Sequence, residues 1–170
     1  MNFIFKHAKN YILNNSIDLE KDHIVVVLLN EFSEINQNMK LLSEIPKNLI
    51  ATEPVNLNDK TFKNCVFDAQ DVRFNTVCGD VITGLLIYEE SSKLLIAYVG
   101  NAFNLPVYPN GGDIIVTWEN GYNKIFNMYD DFKRFNEAKD VENDKPQDDC
   151  KSLKQYIIDK SEPLTGDCHE

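Results

Sequence analysis

Long apolar runs are missing from this sequence of 170 residues. The longest candidate, Ile24 to Leu29, is far shorter than the roughly 20 residues that a membrane-spanning helix needs. The N-terminus also lacks the charged, apolar and small-residue regions of a signal peptide. We therefore expect a soluble protein that is made in a cytoplasm and makes no membrane contact.

Positive charge is also scarce. The chain has 17 Lys and Arg residues against 27 Asp and Glu residues, which gives a net charge of -10. A surface that binds nucleic acid needs clustered Lys and Arg to meet the phosphates. The sequence therefore predicts no direct contact with nucleic acid.

Metal-binding and nucleophilic motifs are not apparent. The four cysteines (Cys65, Cys78, Cys150 and Cys168) form no CxxC pair, and the three histidines (His7, His23 and His169) lie far apart. Zinc sites need closer ligand spacing. We expect Cys65 and Cys78 to be small buried apolar residues. A Cys168–His169 dyad is disfavoured because it lies at the chain end and has no visible orienting group.

Other possible sites also lack the pattern that would make them specific. Asp68, Asp71 and Asp80 lie in turns but not in the DxDxDG order of a calcium loop, so solvated turn residues are favoured. Gly111-Gly112 precedes a strand, whereas a phosphate-binding loop opens a helix. No sequence spacing indicates the carboxylate pair of a glycoside hydrolase. We predict no catalytic, cofactor-binding or metal-binding residues, and an enzyme is the least favoured class.

The aromatic residues allow one binding alternative. Trp118 with Tyr98, Tyr108 and Tyr122 is a set that lines a sugar-binding face in some proteins. Aromatic pairs also stabilise sheets by packing across strands. Core and hairpin packing is the preferred interpretation of this set.

Short strand-like segments dominate the chain after a predicted N-terminal helix, Phe3 to Leu13. His23 to Leu29 is apolar and β-branched, which predicts a central buried strand. Asn30 to Lys47 is either irregular or holds one short helix. Further strands are predicted at Leu49–Val55, Phe62–Phe67, Val72–Val77, Ile82–Tyr88 and Leu94–Val99. The fold class is mainly β, an antiparallel β-sandwich of about seven or eight strands with an N-terminal helix.

The segment from Leu105 to Phe126, LPVYPNGGDIIVTWENGYNKIF, is the richest in backbone signals. Its two prolines favour an extended approach, and Asn110 to Asp113 then supplies the residues of a tight turn. Ile114 to Glu119 alternates as a strand does, and Asn120-Gly121 is typical of a hairpin loop. We expect this segment to fold back on itself as a β-hairpin, with Lys124 to Phe126 starting the return strand.

The last quarter of the chain differs in composition. Residues 129–170 contain 12 acidic and 7 basic residues, half of the net charge of the whole protein. We divide the chain into a β-sandwich domain at 1–128 and an acidic C-terminal extension at 129–170. Within the extension, Leu153, Tyr156 and Ile157 predict a short helix between Asp149 and Lys160.

Four segments together resemble a widespread family of small structural proteins of tailed-bacteriophage virions. The segments are IDLEKDHIVVVLL at Ile17–Leu29, VFDAQDVRF at Val66–Phe74, ITGLLIYEE through LLIAYV at Ile82–Val99, and the segment Leu105–Phe126. Their order along the chain is that of the family. The resemblance implies a compact β-sandwich attached to the capsid or the neck, with no catalytic residues. Family members end near the residues that match Lys124 to Phe126, so the extension is a departure from them.

The resemblance leads to three expectations for function. The first is a head auxiliary or decoration protein, present in the virion after assembly in the host cytoplasm, that binds the major capsid protein or neighbouring virion proteins. Self-association in the particle is part of that expectation. The alternatives are a neck, ring or tail-completion protein and a carbohydrate-binding module for host attachment, for which the aromatic set around Trp118 is the support.

Overall fold

The structure is a computed structural model that describes residues 1–30 and 35–129. In these residues the chain forms one α-helix, two short 3-10 helices (Leu42–Glu44 and Lys47–Leu49) and ten strands. The elements are β1 (Asn2–Ile4), α1 (Lys6–Leu13), β2 (Ile24–Leu29), β3 (Val55–Asn56), β4 (Thr61–Lys63), β5 (Val66–Asp68), β6 (Val72–Phe74), β7 (Gly84–Glu89), β8 (Leu95–Val99), β9 (Ile114–Val116) and β10 (Phe126–Asn127).

The largest sheet has five antiparallel strands in the order β1-β8-β7-β2-β3. All six residues of β2 and all six of β7 are buried, as expected for strands covered on both faces. The predicted buried strand at β2 is therefore confirmed, and so is the hairpin that joins β7 to β8. A three-stranded sheet (β10-β5-β4) and a two-stranded sheet (β6-β9) share one hydrophobic core with it.

The predicted fold class is confirmed: the protein is mainly β, antiparallel, and has an N-terminal helix. The described chain has more strands than the seven or eight expected, because several are only two or three residues long. Nearly all of the proposed extension 129–170, including its predicted helix, lies outside the described residues. No helix in the described part of the chain has the length and apolar character needed to cross a membrane.

The N-terminal helix is shorter than predicted because the chain begins with a strand. The Phe3 ring packs against those of Phe5 and Tyr98, with centroids 5.2 and 5.3 Å away. These contacts are made from an extended backbone, since β1 pairs with β8 and Phe5 is also extended. The helix α1 begins only at Lys6 and buries Ala8 and Ile12.

Two other predicted strands are divided or shortened. Phe62 to Phe67 is a tight hairpin, β4 and β5, whose loop residues Asn64 and Cys65 have φ of 51° and 62°. Two residues with positive φ are what a type I′ hairpin loop requires, so the turn interrupts an alternation that looked continuous. In Leu49–Val55, Ile50 forms only an isolated bridge to Leu29, and strand β3 starts at Val55.

The segment Leu105–Phe126 does not fold back on itself, so the predicted hairpin at Asn120-Gly121 is wrong. It runs antiparallel to residues 65–82 instead, through a bridge between Val107 and Ile82, the pair β9–β6 and the pair β10–β5. We call these two antiparallel segments, 65–82 and 105–128, the ribbon. The long-range pairing buries Val72 and Phe74 and brings the rings of Phe67 and Phe126 within 5.1 Å. A local hairpin of three-residue strands would bury much less apolar surface.

Candidate contact surface

The four aromatic residues considered for sugar binding do not form one exposed face. Trp118 is only 8% exposed; its indole N–H donates to the Gln70 carbonyl at 3.1 Å, and its backbone N–H donates to Asp71 Oδ1 at 3.1 Å. Tyr98 is 1% exposed, and burial raises the pKa of its hydroxyl to about 12. Tyr108 and Tyr122 are 77% and 69% exposed. The set therefore divides into two core residues and two surface residues.

The turn carboxylates considered for calcium binding do not converge either. Asp68 forms an ion pair with Lys124, and Asp71 accepts the Trp118 backbone hydrogen bond. Asp80 is exposed. In residues 1–30 and 35–129, no group of three or more His, Cys, Asp or Glu is arranged to hold a metal ion. Asp68 and Asp71 instead connect the two sides of the ribbon.

The two cysteines in the described chain differ from expectation. Cys65 is buried, but it is disulfide-bonded rather than a free apolar residue, and its partner lies outside the described residues. Cys78 is free and exposed, so the prediction that it is buried is wrong. Strand β6 ends at Phe74, and Cys78 lies beyond it, next to the glycine pair of the ribbon. Cys150, Cys168 and His169 lie outside the described residues.

The glycine pair forms a β-bulge rather than a turn. Gly111 N–H donates to the Val77 carbonyl at 2.9 Å, and Val77 N–H donates to the Gly112 carbonyl at 2.9 Å. Two residues of one segment thus face a single residue of the other, and the first of them has φ of 84°. A glycine in this conformation is typical of a G1 bulge.

The bulge decides which side chains point to solvent. Before it, exposure alternates so that Pro106, Tyr108 and Asn110 are exposed; after it, Asp113, Ile115 and Thr117 are exposed. Seven positions separate Tyr108 from Ile115, and in a regular strand an odd separation puts two side chains on opposite faces. The extra residue shifts the alternation by one, and both side chains are therefore exposed.

A polar cluster holds the bulge in place. Asp113 forms an ion pair with Arg73, with Nη2 2.9 Å from Oδ2, and its Oδ1 accepts a hydrogen bond from the Thr76 backbone N–H at 2.9 Å. Thr76 has φ of 51°, an uncommon conformation for a β-branched residue. Strained backbone of this kind persists only where its surroundings fix it. The Asp113 carboxylate and the two Val77 bonds do so here.

The loop that leads into the ribbon is uncharged. No charged residue occurs between Lys93 and Asp113, the longest such run in the sequence. Its first part is the buried strand β8, but Asn101 to Asn104 are exposed, and Phe103 is 96% exposed. The Asn2 side chain fixes the start of the loop: its Oδ1 accepts the backbone N–H of Gly100 and Asn101 at 3.0 and 2.8 Å.

We define the contact surface as the large apolar side chains that are exposed between residues 100 and 125. They are Phe103, Tyr108, Ile115, which is 61% exposed, and Tyr122. Large aromatic side chains exposed on a charge-poor segment are typical of the centre of a protein interface. Sequence reasoning missed Phe103 and Ile115, although the uncharged run before Asp113 was a signal that could have identified the loop.

Comparisons of the chain with protein-family models, with curated proteins and with solved structures find no match.

Proposed function

We propose that this protein is a non-enzymatic structural protein of a tailed-bacteriophage virion, and that it decorates the head by binding the major capsid protein through the contact surface. The observation that carries the proposal is the exposure of four large apolar side chains on one uncharged loop and the ribbon that follows it. Burying such side chains against a partner is favourable, by roughly 25 cal/mol for each Å² of apolar surface removed from water.

The motifs that resemble virion proteins support the same surface. The second and fourth of them, Val66–Phe74 and Leu105–Phe126, are far apart in sequence but pair with each other along the ribbon. The motif order and the contact surface therefore involve the same part of the molecule.

The rigidity of the ribbon favours binding. A partner that meets a surface already fixed in shape loses little conformational entropy on association. The bulge and the hydrogen bond from the Thr76 N–H to Asp113 fix the backbone between Tyr108 and Ile115, and the Asn2 bonds fix the start of the loop. Many copies on one particle would add avidity to a modest single-site affinity.

The first test is the number of copies in a purified particle, measured by quantitative mass spectrometry against the major capsid protein. Hundreds of copies support decoration of the head. On the order of a dozen would indicate the alternative we keep, a neck, ring or tail-completion protein whose copies meet in a closed ring. Absence from the particle would refute both.

The second test asks whether the contact surface is the part of the protein that binds the head. Full-length protein is added to heads that lack it, and the bound fraction is measured after sedimentation. The double variant Tyr108→Ser, Ile115→Ser is expected to remain folded and to lose most binding, because both side chains are exposed and contribute little to the core. Thr117→Ser, on the same exposed face, is the matched control and should bind normally. Normal binding by the double variant would mean that the contact surface does not bind the head.

A carbohydrate-binding module is the other alternative, and the exposed rings of Tyr108 and Tyr122 are the observation that favours it. A Trp118 variant is unsuited to testing this function, because the ring is buried and its loss would disturb the fold. A glycan array probed with the wild type and with Tyr108→Ala, Tyr122→Ala is the direct measurement. Binding that the double variant loses would support the module, and no binding by the wild type would reject it.

A further inference from the structure

We propose that Asn120 is a site of spontaneous deamidation to aspartate and isoaspartate, and that the fold protects Asn110 from the same reaction. The sequence contains two Asn-Gly pairs, Asn110-Gly111 and Asn120-Gly121. Asn-Gly is the pair most open to this chemistry, because glycine has no side chain to hinder the reacting backbone. The inference does not depend on the proposed function.

The reaction needs only water. The backbone nitrogen of the glycine loses its proton to solvent and attacks Cγ of the asparagine side chain, forming a new C–N bond. The bond from Cγ to the side-chain nitrogen breaks, and ammonia leaves with a proton from water. The resulting five-membered imide is then opened by water at either of its two carbonyls. One opening gives aspartate, and the other gives isoaspartate, with the main chain running through the former side chain.

At Asn110 both reacting groups are held in hydrogen bonds. The attacking nitrogen would be that of Gly111, whose N–H donates to the Val77 carbonyl at 2.9 Å. The side-chain oxygen of Asn110 accepts the N–H of Gly112 at 3.0 Å. Ring closure would break both bonds, because the imide nitrogen of residue 111 has no proton left to donate and the Asn110 side chain must turn toward that nitrogen. The G1 bulge therefore opposes the reaction.

Within the described part of the chain, Asn120 has no such restraint. Strand β9 ends at Val116 and β10 begins at Phe126, and Asn120 and Gly121 are both exposed in the connection between them. Among residues 1–30 and 35–129, neither residue has a hydrogen-bonding partner. The Asn120 side chain is free to rotate toward the Gly121 nitrogen. The product carries a new negative charge next to Glu119 and two residues from Tyr122.

The test is an incubation of the full-length protein near neutral pH, followed by peptide mapping. Deamidation raises the mass of the peptide by one dalton, and a protein isoaspartate methyltransferase reports the isoaspartate product. Each hydrogen bond that must open at Asn110 is worth a factor of about five. We therefore expect Asn120 to react about 25-fold faster than Asn110 in the folded protein.

Two further measurements distinguish the effect of the fold on the deamidation rate from the effect of the local sequence. In denaturant both asparagines should react at similar rates, because the bulge is gone. Gly121→Ala should slow the reaction at Asn120 and leave Asn110 unchanged. Equal rates in the folded protein, or a preference for Asn120 that persists undiminished in denaturant, would overturn the inference.

Discussion

The aromatic ring of Tyr98 occupies the space that a side chain at Gly84 would need. A β-carbon built on Gly84 would lie 2.6 Å from the Tyr98 hydroxyl oxygen and 2.8 Å from ring carbon Cε2, and one on Gly100 would overlap the same ring. Tyr98 lies in β8 and Gly84 starts the neighbouring strand β7. The two glycines therefore accommodate a large buried ring within a fully paired part of the sheet.

Gly84→Ala is expected to lower the free energy of unfolding by about 1–3 kcal/mol, the usual cost of overpacking a core. Urea titration followed by circular dichroism measures it. In the background of Tyr98→Leu, which removes the ring, the same substitution should cost much less. Gly112→Ala is the control, since its β-carbon would meet only the end of the exposed Asn110 side chain, at 3.0 Å. Equal costs in both backgrounds would mean that the ring is not the obstacle.

We expect Glu89 to make the stability of the protein sensitive to acid. Its carboxylate is buried and accepts the backbone N–H groups of Ser91 and Ser92 at 2.8 and 2.6 Å, and the Ser92 hydroxyl as well. Burial alone would raise the pKa of Glu89, but the hydrogen bonds from Ser92 and Ser91 outweigh it and lower the pKa below its usual value of 4.5. The carboxylate thus stabilises the turn between β7 and β8.

Because the folded-state pKa is the lower one, this stabilisation is complete above the unfolded-state value and is lost as pH falls through the folded-state value. Glu89→Gln is expected to cost about 1–3 kcal/mol at neutral pH, since an amide leaves one turn N–H without an acceptor. The difference from wild type should shrink in acid, below about pH 4.5. Unfolding measured across this pH range tests it, with Glu90→Gln as the adjacent control. A difference that does not vary with pH would refute the role of ionisation.

The parts of the fold that could be predicted are those whose signal is local. The run Ile24 to Leu29 is apolar at every position, and a polar turn directly separates β7 from β8. A buried strand and a tight hairpin follow from such patterns without knowledge of the rest of the chain. The two-residue loop at Asn64-Cys65 gave no clear hairpin signal, because cysteine is not a usual residue of hairpin loops.

The ribbon could not be predicted, because its two sides are distant in sequence. No local sequence pattern indicates that Val72 pairs with Val116 rather than with a residue beyond Gly121. The Asn-Gly signal at 120–121 favoured a hairpin, but the apolar surface buried against 65–82 decided the pairing. The exposure of Cys78 is a consequence of that pairing and was therefore missed, whereas the burial of Trp118 agrees with the core packing preferred for it from the sequence.

Asp113 has two roles that substitutions can separate. Its ion pair with Arg73 is exposed and should contribute little, at most about 1 kcal/mol. Its hydrogen bond to the Thr76 N–H fixes a strained residue. Asp113→Asn keeps an acceptor and should change the free energy of unfolding by less than about 1 kcal/mol.

Asp113→Ala removes the acceptor as well and should cost about 1–2 kcal/mol, similar to the loss of a helix cap. The Arg73→Gln variant isolates the ion pair and should behave like Asp113→Asn. Thermal unfolding of the three variants measures how much stability each one loses. A cost for Arg73→Gln as large as that for Asp113→Ala would assign the stabilisation to the ion pair instead.

Cys78 provides a chemical probe of the contact surface. Its sulfur lies 3.6 Å from the position that a β-carbon on Gly111 would take, so it lies beside the bulge that separates Tyr108 from Ile115. Native protein treated with a bulky maleimide should be modified at Cys78 and not at Cys65, which is buried and disulfide-bonded.

If the contact surface binds the head as proposed, the modified protein should sediment with heads at least about tenfold less well, the effect of losing about 1.4 kcal/mol of binding free energy. Cys78→Ser treated in the same way should bind normally, which controls for reaction at other cysteines. Unimpaired binding of protein modified at Cys78 would place the head-binding surface elsewhere on the molecule.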